Sequence, residues 1–178
     1  MSPGDSKRLV IDASIARAAG RTDHPISKAC RAFLDSVLRI CHHAVVTRPI
    51  SEEWNEHQSR FTLSWRSSMY ARKKVARPEV APNDILRARI QNSGITEKEC
   101  AKALKDAHLI EAALETDLTV VSLDEEARAV FRKAAPRVRA LKSVLWVNPT
   151  KDEEHTLEWL EGGAEDEEVR QLGFDDSV

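Results

Sequence analysis

The sequence predicts an α/β chain, a three-layer α/β/α sandwich around a mostly parallel sheet. Three observations carry that prediction. From Leu104 to Phe131, a helical pattern with Leu109, Ile110, Ala113 and Leu114 on one face runs into the β-branched stretch Leu118 to Leu123, which Asp124 closes. Near the amino end, Arg8-Leu-Val-Ile-Asp12 repeats the design of a short apolar strand ending in a carboxylate. Between the two, strand and helix patterns alternate, as in βαβ units whose strands run parallel. Open sheets of that kind bind ligands beyond the carboxyl ends of their strands.

Each element has a local reason. Ser14 can cap a short helix from Ile15 to Ala19 that Gly20 ends, and Asp12 read alone could equally be a cap or turn acid. After His24-Pro25, Ser27 can cap a helix from Lys28 to about Cys41 that buries Ala29, Phe33, Val37 and Ile40. His42 and His43 read as the end of that helix. Adjacent side chains diverge and no cysteine stands at ligand spacing, which argues against zinc. The strand Ala44 to Thr47 leads through Pro49 to a helix that Ser51 can cap, with Glu52 and Glu53 suited to its positive end.

Arg60 to Arg89 is the most basic stretch, broken by Pro78 and Pro82 and restarted at Asn83 or Asp84. Thr96-Glu-Lys-Glu99 is a capping box, and its helix delivers Asp106, whose carboxylate could cap a following helix. His108, two residues on, does not share a helix face with Asp106 and reads as partly exposed structure. Glu125 to Lys133 makes a compact helix with acids first and bases last, packed on the sheet by Val130 and Phe131. Val138 to Leu141 and Ser143 to Val147 predict a last strand near the sheet edge, stopped by Asn148-Pro149.

The 178 residues suit one domain with an appendage. Residues 1–149 form the α/β domain and 150–178 an acidic tail, in which Trp159, Leu160 and Phe174 point to partial docking and a short helix. No stretch is apolar enough to span a membrane, and the opening residues lack a leader pattern. Three cysteines without a C-x-x-C predict buried thiols in a reducing cytoplasm. Charge is divided sharply. Residues 151–178 carry 11 acidic and two basic side chains, leaving 25 basic and 18 acidic ones in residues 1–150. A cationic body favours a polyanion such as nucleic acid.

Asp12, Glu53, Asp106 and Asp124 fall at predicted strand ends or at the helix starts beyond them, which a parallel sheet brings to one edge. Glu52 or Glu56 could take the place of Glu53, because the helix register is open. Gathered carboxylates repel and need protons or cations between them. Oxygen-only ligands suit Mg²⁺ or Mn²⁺, which can activate water for phosphodiester hydrolysis. Ser14 and Ser122, each two residues from an acid, could orient those carboxylates. Neither a phosphate-binding glycine loop nor a nucleophile elbow is present. Arg66, Arg72, Lys73, Lys74 and Arg77, interleaved with Trp65 and Tyr70, could pair with a single-stranded backbone and stack on its bases, or form a solvated helix face.

VIDAS at 10–14, TRPISEEW at 47–54, KDAHLIEAAL at 105–114 and VVSLDEEAR at 120–128 together resemble the PIN-domain ribonucleases, which include toxins of many bacterial and archaeal toxin-antitoxin pairs. The likeness covers about residues 8–147. It implies a three-layer fold, acidic site residues at Asp12, Glu53, Asp106 and Asp124, with Ser14 and Ser122 beside them, and RNA cleavage dependent on Mg²⁺ or Mn²⁺. RNA, an antitoxin protein and a second copy in a dimer are the expected partners, with no membrane. The alternative is a catalytically silent PIN-like module that binds RNA or a protein. The tail lies outside the family pattern, and its charge predicts that it lies across the Arg60 to Arg89 surface of its own or a neighbouring subunit.

Overall fold

The computed structural model of the chain describes residues 6–175; residues 1–5 and Asp176 of the acidic tail lie outside them. Its strands are β1 (Arg8–Ile11), β2 (His43–Val45), β3 (Val75–Ala76), β4 (Thr119–Val121) and β5 (Leu145–Val147). They form one five-stranded sheet in the order β3-β2-β1-β4-β5, with every pairing parallel. The chain steps outward from β1 to β3, then returns to the other side of β1. The order therefore reverses between β1 and β4, and a reversal opens a crevice at the carboxyl edge.

Two groups of helices flank the sheet. One comprises α1 (Ala13–Ala18), α2 (Pro25–Arg39), α3 (Arg48–His57) and α4 (Arg60–Ala71), packed on one another. The other comprises α5 (Asp84–Gln91), α6 (Glu97–Leu114), α7 (Glu125–Ala134) and α8 (Arg139–Lys142). Right-handed crossovers in opposite directions along the sheet put the groups on opposite faces, giving three layers. Covered on both sides, the strands are mostly apolar, with Leu9, Val10, Ile11, Val120, Val121, Trp146 and Val147 all buried.

Several elements differ from the sequence expectation. The capping box at Thr96 and Glu99 starts a single helix, α6, that passes through Asp106 without a break. Helix α3 begins three residues before Ser51, with Thr47 at its N-cap and Pro49 in its first turn, where a missing N–H costs nothing. Helix α2 starts at Pro25 after His24, and Ser27 is released to donate to the Gly20 carbonyl at 2.7 Å. Val138 to Leu141 holds the short helix α8 in place of a strand. His43 belongs to β2, while His42 is buried between the Lys7 amide and the Leu160 carbonyl. The cysteines form no disulfide; Cys30 is buried, Cys100 half-buried and Cys41 exposed. Among the described residues no helix is long and apolar enough to cross a membrane.

The tail docks, but not across the Arg60 to Arg89 surface of its own chain. Its helix α9 (Thr156–Glu161) packs on α2, and Gln171 bridges β5 in antiparallel fashion. Glu154 anchors it: the carboxylate meets Arg128 at 2.5 Å and accepts from the Asn148 amide at 3.0 Å, with Arg170 stacked on Trp159 beside it. The tail's acids thus find partners on the domain, including Arg39 with Glu161 and Lys7 with Asp166.

Candidate functional site at the carboxyl edge

Asp12 follows β1 and Asp124 follows β4, so the sheet reversal sets both beside one crevice. Asp12 stands at the N-cap position of α1 but makes no side-chain cap bond. Its Oδ2 instead accepts from the Ser14 hydroxyl at 2.5 Å and from the Ser122 hydroxyl at 2.7 Å. Ser122, fully buried, accepts in turn from the Asp124 amide at 3.0 Å, and Ser14 Oγ accepts from the Leu123 amide at 3.1 Å. Two serines therefore stitch the ends of β1 and β4 together and fix one carboxylate oxygen. Both hydroxyls thus donate to the Asp12 carboxylate, while Ser122 meets Asp124 at its backbone amide.

Asp124 does two things at once. Its Oδ1 accepts from the Ala127 amide at 2.8 Å and caps α7, the ordinary use of an acid there. Its Oδ2 faces the Lys102 ammonium at 2.5 Å. Asp106 lies one helical turn beyond Lys102, with Oδ2 3.6 Å from the same ammonium. That oxygen is buried and has no hydrogen-bond partner. Burial raises the Asp106 pKa, and the charges of Asp124 and Asp12 raise it further against the pull of Lys102. Burial also works against ionised Asp124, but the Lys102 ammonium and the Ala127 amide outweigh it and hold that acid below its usual range. Lys102 is kept protonated: burial lowers its pKa, and the bond to Asp124 with the charge of Asp106 more than offsets this.

Glu53 reaches the same edge from α3. Trp54 beside it is buried and donates its indole N–H to the Ile11 carbonyl at 3.0 Å, pinning α3 to the end of β1. Glu53 Oε2 then lies 3.3 Å from His108 Nε2, a close approach without hydrogen-bond alignment. His108 Nδ1 sits 3.1 Å from the Lys105 carbonyl, and a carbonyl only accepts, so Nδ1 is the donor. Nε2 then faces the Glu53 carboxylate. Glu52 pairs with Arg48 at 2.9 Å and Glu56 with His57 at 3.6 Å, so Glu53 is the member of the three turned to the site.

Sequence reasoning passed over Lys102 and the contact of His108 with Glu53, though His108 is partly exposed as expected. Lys102 carried a signal, since it stands four residues before Asp106 on one helix. His108 did not, because its partner comes from another helix. Among the described residues, no group of three or more His, Cys, Asp or Glu side chains is drawn together closely enough to hold a metal ion. The cation between Asp106 and Asp124 is Lys102 itself. The donor chemistry nonetheless fits a hard divalent ion, being carboxylate oxygen with one buried oxygen, Asp106 Oδ2, left without a hydrogen bond.

The five predicted nucleic-acid residues divide. Lys74 donates to the carbonyls of Val37, Leu38 and Ile40, serving the end of α2, and burial lowers its pKa. Arg72 reaches the Leu38 carbonyl at 3.3 Å, and Lys73 occupies a left-handed turn position at φ 57°. Arg66 bonds Ser51 and Asn55 and lies over the rings of Trp54 and Tyr70, while Arg77 is exposed. No protein-family model matches the chain, and no curated protein is similar to it at a meaningful level.

Proposed function

We propose that the chain is a divalent-metal-dependent endoribonuclease that hydrolyses RNA phosphodiester bonds, like the PIN-domain ribonucleases it resembles. The observation that carries this reading is the placement of acids at the β1–β4 edge, with Asp12 tied to the Asp124 backbone through Ser122, and Asp106 and Asp124 facing the same Lys102 ammonium. Asp12, Asp106 and Asp124, with Glu53, would hold Mg²⁺ or Mn²⁺, which when bound supplies an activated water and neutralises charge on the phosphate. Ser14 and Ser122 fix the Asp12 oxygen, so the carboxylate needs no reorganisation. Lys102 limits repulsion between Asp106 and Asp124 until another cation is present. Glu53 lies 3.3 Å from His108 at the rim of the site. Action in the cytoplasm as the toxin of a toxin-antitoxin pair, in a dimer, is the finer form of the same proposal.

A second reading has its own support. Lys102 already neutralises Asp106 and Asp124, as it would in a catalytically silent module that binds RNA or a protein. Calorimetry with Mn²⁺ separates the two. A nuclease binds the ion and loses it in D12N and D106N; a silent module gives no heat above dilution in any of the three.

A further inference from the structure

Beside the acidic edge, a cavity of about 870 Å³ opens between the start of α3 and the segment that follows β3, lined by Thr47, Arg48, Ser51, Glu52, Arg77 and Pro78 among others. Thr47 is the N-cap residue of α3, yet its side chain makes no cap bond. Only 5% of it is exposed, and its Oγ1 has no partner. A buried hydroxyl without a partner is costly unless something the cavity admits accepts or donates to it. The surroundings select what that is. The first turn of α3 presents backbone N–H groups and the positive end of a ten-residue helix. Two guanidinium groups, Arg48 and Arg77, line the cavity, and a third, Arg66, lies behind Ser51. Arg77 is exposed, Arg48 pairs with Glu52 at 2.9 Å, and Arg66 donates to Ser51 at 2.7 Å.

We infer that this cavity is a subsite for one phosphate of a nucleic-acid strand, next to the phosphate at the carboxylate edge. Thr47 Oγ1 and the α3 N-terminus hold the phosphate oxygens, and Arg77 supplies charge. The same helix carries Glu53 to the acidic edge from its second turn, so the two places are rigidly linked. Glu52 and Glu79 line the cavity too, which restricts the anion to one that reaches Thr47 and the helix start. The inference rests on the nuclease reading only for the neighbouring site; the subsite itself needs no metal.

The test is equilibrium binding of a fluorescein-labelled 12-nucleotide single-stranded RNA to the full chain in EDTA, over a series of salt concentrations. R77Q should weaken binding about 3- to 10-fold and reduce the salt slope by about one phosphate's contribution. T47V, which removes only the hydroxyl, should weaken it several-fold with the slope unchanged. Arg77 is exposed, so R77Q answers even where T47V fails to fold. Unchanged affinity and slope in R77Q overturn the subsite, as does absence of RNA binding by the unaltered chain. If RNA is never cleaved but R77Q weakens binding as stated, the subsite stands and hydrolysis falls. If RNA is cleaved and R77Q binds it normally, hydrolysis stands and the subsite falls.

Discussion

The Lys102 ammonium lies 2.5 Å from Asp124 Oδ2, joining α6 to the residue that caps α7, and 3.6 Å from Asp106 on its own helix. One internal cation therefore sits between the two acids on which the proposed chemistry depends. K102M removes it and leaves two half-buried carboxylates facing each other. The metal-free protein should melt at a lower temperature, because repulsion and burial then act on Asp106 without relief. Mn²⁺ should bind about tenfold more tightly or better, since it no longer competes with a tethered charge; tenfold corresponds to about 1.4 kcal/mol. Melting scans with and without Mn²⁺ check both, and weaker binding in K102M would contradict the account.

Ser122 is the fulcrum between Asp12 and Asp124. S122A strips a donor from Asp12 and leaves the Asp124 amide without an acceptor in a buried place. Stability should fall by about 1–3 kcal/mol. Cleavage should slow by about 10- to 100-fold, as for groups that orient metal-binding carboxylates, while affinity for RNA in EDTA stays unchanged. Denaturant melts and cleavage rates read the two effects separately.

These sites were partly legible in the sequence. Asp12 and Asp124 follow short apolar strands, and a parallel sheet leaves such acids no other place than its carboxyl edge. Asp106 was expected to open a helix, and it lies instead within α6, 3.6 Å from Lys102. A carboxylate inside an apolar period reads as a cap, whereas here the helix runs through it and turns it to the edge. Strand β3, two residues long, has too little pattern to detect. Lys74 read as a nucleic-acid contact because its partners, the last carbonyls of α2, lie more than thirty residues away. The contact of Glu53 with His108 likewise depends on α3 meeting α6, which periodicity cannot express.

The docked tail predicts a stability effect without a catalytic one. Glu154 is nearly buried between Arg128 and Arg170. E154A leaves Arg128 with only its longer contact to Glu125 at 3.5 Å and Arg170 with Glu167 at 2.6 Å, and strips the acceptor from the Asn148 amide, so it should cost about 1–3 kcal/mol. Cleavage by the folded variant at low temperature should match the unaltered chain. Denaturant titration and a rate measurement below the transition check this.

Glu99 gives a pH prediction. The Lys133 ammonium and, next, the Thr96 amide hold its carboxyl down at about 2, from an ordinary value of 4.5. A group depressed on folding stabilises the fold above its unfolded pKa, and that contribution disappears as pH falls through the folded value. The wild-type melting temperature should therefore drop between about pH 4.5 and 2. E99Q should lower it at neutral pH and flatten that limb, as melting scans across the range will show.

The central claim is that the acids at the β1–β4 edge cleave RNA. It is tested most directly by single-turnover cleavage of end-labelled RNA with excess protein in Mn²⁺, comparing the unaltered chain with D106N. Asparagine keeps the shape of Asp106 and removes the buried charge, so D106N should fold at least as stably without metal. The account predicts cleavage by the unaltered chain and its loss in D106N. Equal cleavage by both, or none by the unaltered chain while it binds Mn²⁺ and RNA, would contradict it.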